Sequence, residues 1–375
     1  MLSSILHLCA CIEGNSAQRR QLYEACGSCQ NWDTLLPEVE KHGMGPLLYK
    51  HLETVDIEIP VAFSRGLKFL SLRHRHANSV RMKSLQQILL LLEELGVPSL
   101  VLKGGALCQT LYPEIGQRPM RDLDLWFLSE DVYHVHSLLQ KHGFKASTAA
   151  IPDGYYHLPP LFCTVDGLLV CVELHHGLFP NDPPYYQPLS FSDLYRDGQL
   201  FEVDGVNAFT LPDVEMLWHL FQHGFHAPLT YEPFKLISVA DIVSLVEKRV
   251  DTLDWHRVKE VYPQLFRSLS LFHYLTPWSE RVLREIAYVE KRVPGGIGCS
   301  FDGWPRVNLS QKNDTSFWGL VCCTLFPAQW WTMLYYSSDN LTSYLWSSLV
   351  GHPLHLLRWM KVYWRREKCK KANPV

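Results

Sequence analysis

Asp122 and Asp124 stand two residues apart in Arg121-Asp122-Leu123-Asp124-Leu125, where charge alternates with apolar residues. That period of two is a strand signature. Both carboxylates then project from one face, roughly 7 Å apart at Cα, while Leu123 and Leu125 enter the core. Two carboxylates on one face repel each other unless a cation sits between them, and magnesium is a hard ion that accepts carboxylate and phosphate oxygens. A half-exposed edge strand with solvated carboxylates would show the same alternation. Glu173 is the acidic residue of the otherwise apolar run Leu168 to Leu174 and is expected to complete the set, with His175 projecting from the same face. Upstream, the short apolar run Ser99-Leu100-Val101-Leu102 enters Lys103-Gly104-Gly105. A strand turning through two glycines into a helix points unpaired backbone N–H groups outward, a cradle for phosphate, and Lys103 adds a point charge beside it. An ordinary tight turn uses the same glycines.

These groups need a sheet to carry them and helices to cover it. Leu85, Ile88, Leu89, Leu92 and Leu95 recur at spacings of three and four, so Asn78 to Leu95 is a predicted helix ended by Gly96-Val97-Pro98. Ala106 to Tyr112 is a predicted short helix stopped by Pro113, and Arg118-Pro119-Met120 a loop. Arg121 to Leu128 and Leu168 to His175 are predicted strands, and Val132 to His142 a helix capped by Gly143. Helical spacing returns from Pro212 to Val250, and Asp254-Trp255-His256 opens a further helix. The expected class is α+β with a small mixed sheet. The expected division is a helical segment over 1–80, a catalytic core over 81–210, a helical domain over 211–293, and a loop with an aromatic-rich helical tail over 294–375.

The 375 residues, 47% of them hydrophobic, can bury a large core in two or three modules. A net charge of -3 argues against general nucleic-acid binding. The pair Cys26 and Cys29 has no second pair at zinc spacing, and the N-terminus lacks the basic region and cleavage site of a secretory signal. The cysteines therefore read as reduced thiols of a cytoplasmic protein, and no apolar stretch is long enough to span a membrane. His219, His223 and His226 lie four and three apart but lack an H-E-x-x-H frame, so they read as a polar helix face rather than a zinc site. The aromatic tail from Phe317 to Trp364 reads as a helical lid in preference to a membrane-surface contact, because Lys and Arg are sparse before Lys361.

Taken in order, Lys103-Gly104-Gly105-Ala106-Leu107, Tyr112-Pro113, Arg118-Pro119-Met120-Arg121-Asp122-Leu123-Asp124-Leu125 and Glu173-Leu174-His175 resemble the uncharacterised nucleotidyltransferase family of the polymerase-beta-like superfamily. The superfamily pattern is a glycine pair opening a helix, a strand with two aspartates, and a later single acidic residue. The resemblance implies a polymerase-beta-like core and two metal ions, Mg²⁺ with Mn²⁺ as the alternative. It implies that Asp122 and Asp124 hold both ions and that Glu173 ligates the one activating the incoming hydroxyl. Lys103, Gly104 and Gly105 would hold the β- and γ-phosphates, and His175 would lie beside the nucleotide. Arg118 and Arg121 are the implied phosphate clamps. Arg118 is preferred, because Arg121 alternates with Asp122 and points away on a regular strand. The implied reaction moves a nucleoside monophosphate, AMP from ATP, to a hydroxyl or phosphate of a small molecule or peptide. Bacterial members occur near peptide and polysaccharide biosynthesis genes, which implies a biosynthetic setting. The alternatives are a catalytically silent nucleotide- or partner-binding module of the same fold, and transfer of phosphate or pyrophosphate. The chain departs from the pattern at Gly105, where many members carry serine, and at His176, where relatives carry tryptophan.

Overall fold

The computed structural model describes residues 2–55, 57–148, 151, 155–179, 189–225, 235–288, 318, 325, 326, 332, 336, 338, 340–358, 360 and 361. His226 and part of the aromatic tail lie outside them. In chain order the elements are α1 (Leu2–Leu8), α2 (Ser16–Gly27), α3 (Leu35–Lys41), α4 (Gly45–Glu53), α5 (Val61–Leu95), β1 (Leu100–Leu102) and α6 (Lys103–Thr110). There follow β2 (Asp122–Trp126), α7 (Val132–Lys141), β3 (Lys145–Ala146), β4 (Leu161–Val165), β5 (Leu168–His175), α8 (Phe191–Arg196), β6 (Gln199–Val203) and β7 (Val206–Thr210). The remainder is α9 (Asp213–Phe225), α10 (Leu236–Arg249), α11 (Trp255–Val261), α12 (Pro263–Phe272), α13 (Glu280–Glu285) and α14 (Leu341–Trp346). The chain divides into two compact units: one holds Met1–Met44, His51–Glu58 and Leu220–Arg365, the other Gly45–Lys50, Ile59–His219 and Arg366–Val375.

The second unit contains a seven-stranded sheet in the order β3-β4-β5-β2-β1-β7-β6. It is mixed: β2 runs parallel to β5 and β1 parallel to β7, while β1 and β2 are antiparallel. The α+β class is thus as expected, and the sheet is larger than the sequence suggested. Two hairpins account for much of the difference. At Asp166-Gly167, φ is +47° and +79°, and at Asp204-Gly205 it is +46° and +84°. Consecutive left-handed residues make the tight turn whose twist matches its strands, and Asp-Gly is a favoured pair for it. The first turn joins β4 to β5 and the second β6 to β7.

Helix α5 begins at Val61, well before the expected Asn78. Phe63, Leu67 and Leu70 extend its buried face, but Arg65, Arg73, Arg75 and the neighbouring histidines hide that spacing in the sequence. Gly96, at φ +64°, ends the helix and returns its N–H to Leu92 and Glu93 carbonyls. Helix α6 starts at Lys103, directly after β1, so the glycine pair lies inside its first turn.

In the first unit, Asn15 caps α2 by accepting from the Gln18 N–H. The N-terminal segment is tied to the later helices: Ile12 N–H donates to Ser244 Oγ at 2.9 Å, and Thr276 Oγ1 to the His7 carbonyl at 2.6 Å. Asp254 caps α11 through the Arg257 N–H, as its position in the sequence suggested. Among the described residues no helix is long and apolar enough to cross a membrane.

Candidate active site

Strands β2 and β5 align Asp122 with Cys171, Asp124 with Glu173, and Trp126 with His175. Alternation places these six side chains on one face of the sheet. Leu123, Leu125, Val172 and Leu174 take the other face and are fully buried. On the far side of β2, Asp124 pairs with Leu102 of β1, and the next residue is Lys103. Lys103 sits at φ +45°, a left-handed conformation that a side-chain-bearing residue adopts only where surroundings compel it. Its Nζ lies 2.9 Å from Asp124 Oδ1. His175 Nε2 approaches the same oxygen to 3.0 Å and lies 3.8 Å from Glu173 Oε2. One ligand atom from each of Asp124, Glu173 and His175 falls within 4.8 Å of the others.

The cluster is short of positive charge. Burial would raise the Asp124 carboxyl, but Lys103 and the His175 hydrogen bond hold it far below the usual carboxylate range. The other two acids lack such direct partners. Burial raises Asp122, with repulsion from Asp124 adding to it against Lys103 and Arg118. Burial pushes Glu173 up to about 7, reinforced by Asp124 and Asp122 and opposed by Lys103. For Lys103, burial works downward but is outweighed by Asp124 and Asp122, so its ammonium is held above the usual range. Asp124 and Glu173 share the one buried ammonium of Lys103 while Arg118 acts on Asp122, and a divalent cation would relieve the remaining repulsion among the three carboxylates.

The model of a family described as an uncharacterised nucleotidyltransferase matches residues 28–276. The chain belongs to that family. No curated protein and no solved structure matches it. Nucleotidyltransferases typically employ divalent metals, and two carboxylates and an imidazole converging within 4.8 Å form a donor set able to hold one.

The other sequence-predicted residues of this nucleotidyltransferase fall around that centre. Asp122 shares the sheet face but stands outside the three-residue donor group. Arg118 is half-buried in the loop before β2, where it acts on Asp122, and donates to the Pro119 carbonyl at 3.3 Å. Arg121 is exposed and precedes β2. The two glycines differ in role. A Cβ on Gly104 would overlap Arg118 Nη1 and come within 2.8 Å of Met120 Cγ. A Cβ on Gly105 would meet Val101 Cγ1 at 2.9 Å, with Leu85 and Leu123 behind it. A side chain at Gly105 would thus enter the core, and Gly104 is the glycine beside a charged group.

Three features were missed or undervalued in the sequence. His157 forms a β-bridge with His175; its Nδ1 donates to the Leu158 carbonyl at 2.8 Å, and its Nε2 lies 4.0 Å from Glu173. Burial lowers the His157 imidazole to about 4. Tyr155 and Tyr156 pack against it at ring distances of 4.7 and 5.2 Å, walling the Glu173 side. The third is Arg81 on α5, only 9% exposed, whose pKa burial lowers against the pull of Asp122 and Cys171. It falls four residues before Leu85, on the apolar stripe, and a cation at such a position is the signal that could have found it. His219, expected on a polar helix face, is instead buried at 2% exposure, where desolvation lowers its imidazole to about 3.

Proposed function

We propose that this chain transfers a nucleoside monophosphate, AMP from ATP, to a hydroxyl or phosphate of a small-molecule or peptide acceptor. The observation that carries this reading is the register of β2 and β5, which sets Asp124 directly across from Glu173 on the face that Asp122 shares. Asp124, Glu173 and His175 would hold a divalent ion, Mg²⁺ or Mn²⁺, with Asp122 serving a second from the same face. Bound ions supply charge neutralisation at the α-phosphate and at the departing pyrophosphate. Lys103 stands where β1 enters α6, so one ammonium can serve Asp124 or a phosphate oxygen. Glu173, beside His157, would take the proton that the acceptor hydroxyl gives up. The acceptor oxygen attacks the α-phosphorus, the bond to the bridging oxygen breaks, and pyrophosphate leaves with the electron pair.

A second reading is favoured by one contact: Lys103 and His175 both occupy Asp124 Oδ1, so a resident cation already satisfies that carboxylate. The chain would then bind nucleotide without transferring it. Incubation with Mg²⁺ or Mn²⁺, a cell extract and ATP labelled at either the α- or the γ-phosphate separates the readings. Transfer of the α-label, lost in Asp124→Asn, is expected. Transfer of the γ-label alone would mean phosphate or pyrophosphate transfer, and binding with neither label transferred would mean a silent module.

A further inference from the structure

Helix α5 passes the loop that carries Arg118 at close quarters. Asn78 Nδ2 donates to the Ile115 carbonyl at 2.6 Å and to the Arg118 carbonyl at 2.8 Å. A Cβ on Gly116 would come within 2.8 Å of Arg75 Cβ, so loop and helix touch almost backbone to backbone. One turn beyond Asn78 lies Arg81, 9% exposed, with Nε and Nη1 buried and lacking any hydrogen-bond partner. Ser84 Oγ, one turn further along the same face, is buried and without a partner as well. Buried guanidinium groups are ordinarily paired, because five donors stripped of water are costly to leave open. Arg81 is within electrostatic reach of Asp122 and Cys171, the pair that opens the acidic face, and Arg118 acts on Asp122 too. Both guanidinium groups thus act on Asp122, the first carboxylate of the row.

We propose that Arg81, together with Arg118 and with Ser84 as a second donor, forms a subsite for a phosphate oxyanion at the Asp122 end of the site. The anion satisfies donors that the fold itself leaves open, and a planar fork suits phosphate oxygens in a bidentate contact. This rests on the nucleotidyl-transfer reading for the neighbouring metal site, and it adds which residue of α5 takes part. The phosphate belongs either to the nucleotide's own chain or to a phosphorylated acceptor.

Calorimetry of the full chain with Mg²⁺ and either tripolyphosphate or orthophosphate, with adenosine as the phosphate-free control, tests it. Arg81→Met keeps the length of the side chain and removes the open donors. It is expected to weaken binding of one anion by about tenfold or more, leave adenosine unchanged, and leave the melting temperature equal or higher. Arg81→Lys is expected to recover part of the loss. A loss confined to tripolyphosphate assigns the anion to the nucleotide, and one confined to orthophosphate assigns it to the acceptor. Undiminished binding of both anions by Arg81→Met overturns the proposal, as does a lowered melting temperature with parallel loss of adenosine. If the unsubstituted chain binds neither anion nor adenosine, the nucleotidyl-transfer reading falls with it. Binding by the unsubstituted chain that Arg81→Met leaves intact removes the Arg81 subsite alone.

Discussion

Glu173 is an acid of the site whose proton and a metal ion would compete for the same carboxylate oxygens. In the metal-free protein its carboxyl is pushed up to about 7 from an ordinary 4.5 by burial and by Asp124 and Asp122. The folded chain therefore holds this proton more tightly than the unfolded chain between those two values. Stability from this group is present at and below pH 4.5 and declines as pH rises through about 7. At roughly 1.4 kcal/mol per pH unit of displacement, the change is at most about 3 kcal/mol, and less where solvent reaches the carboxyl. Glu173→Gln removes the titration. Without metal, that variant is expected to melt several degrees above the parent at pH 8, with the gap closing toward pH 5. Divalent metal is expected to raise the parent's melting temperature at pH 8 and to raise the variant's less, because a ligand charge is gone. Thermal melts of both proteins across that range, with and without Mn²⁺, make the check; a gap constant with pH would remove the electrostatic account of Glu173.

At the level of elements, the junction of β1 and α6 assigns its two glycines to different tasks. Gly105→Val forces a branched side chain toward Val101, already only 2.9 Å from a first carbon. Overpacking of that kind costs about 1–3 kcal/mol, so its principal effect is a lower melting temperature. Gly104→Ala meets Arg118 and Met120, side chains able to move, so it is expected to cost less stability and to weaken tripolyphosphate binding by displacing Arg118. Paired melts and calorimetry decide; loss of anion binding in Gly105→Val at unchanged stability would reverse the two roles. The strand β5 and the helix α7 were legible within a residue, since β5 is a short, largely apolar run that begins directly after Gly167, and Gly143 marks the helix end. Strands β4, β6 and β7 were not read, although Asp166-Gly167 and Asp204-Gly205 announce their turns. Short half-buried strands carry too few residues for alternation to stand out. The acidic trio was legible because three carboxylates in ordered motifs are chemically costly anywhere else. Arg81, Tyr155 and Tyr156 were not, because their partners come from distant segments brought together only by the sheet and by α5.

Across the whole molecule, the cysteines give a reading of the fold independent of the site. Among the described residues seven cysteines are free thiols. Cys9, Cys11, Cys26 and Cys108 are buried, whereas Cys29, Cys163 and Cys171 are half-buried. Only the thiolate reacts with an alkylating agent, so both access and acidity govern the rate. Burial holds Cys9 well above the usual thiol range and pushes Cys11 and Cys26 up to about 12. Cys171 is pushed up to about 12 as well, by burial and then by Glu173, Asp122 and Asp124, so partial exposure does not make it reactive. Iodoacetamide at pH 8 is therefore expected to modify Cys29 and Cys163 first, with Cys171 lagging behind despite similar access. Cys9, Cys11, Cys26 and Cys108 should react only once the chain is unfolded. A divalent ion that neutralises the carboxylates beside Cys171 should lower its pKa, which favours reaction, and also cover it, which opposes reaction. Its rate relative to Cys163 in metal-free protein is therefore the clean comparison. Peptide mass spectrometry over a time course reads each site separately. Early labelling of Cys9 or Cys11 would show that the helical unit does not enclose its thiols, and fast labelling of Cys171 would contradict the crowding of negative charge on the β2–β5 face.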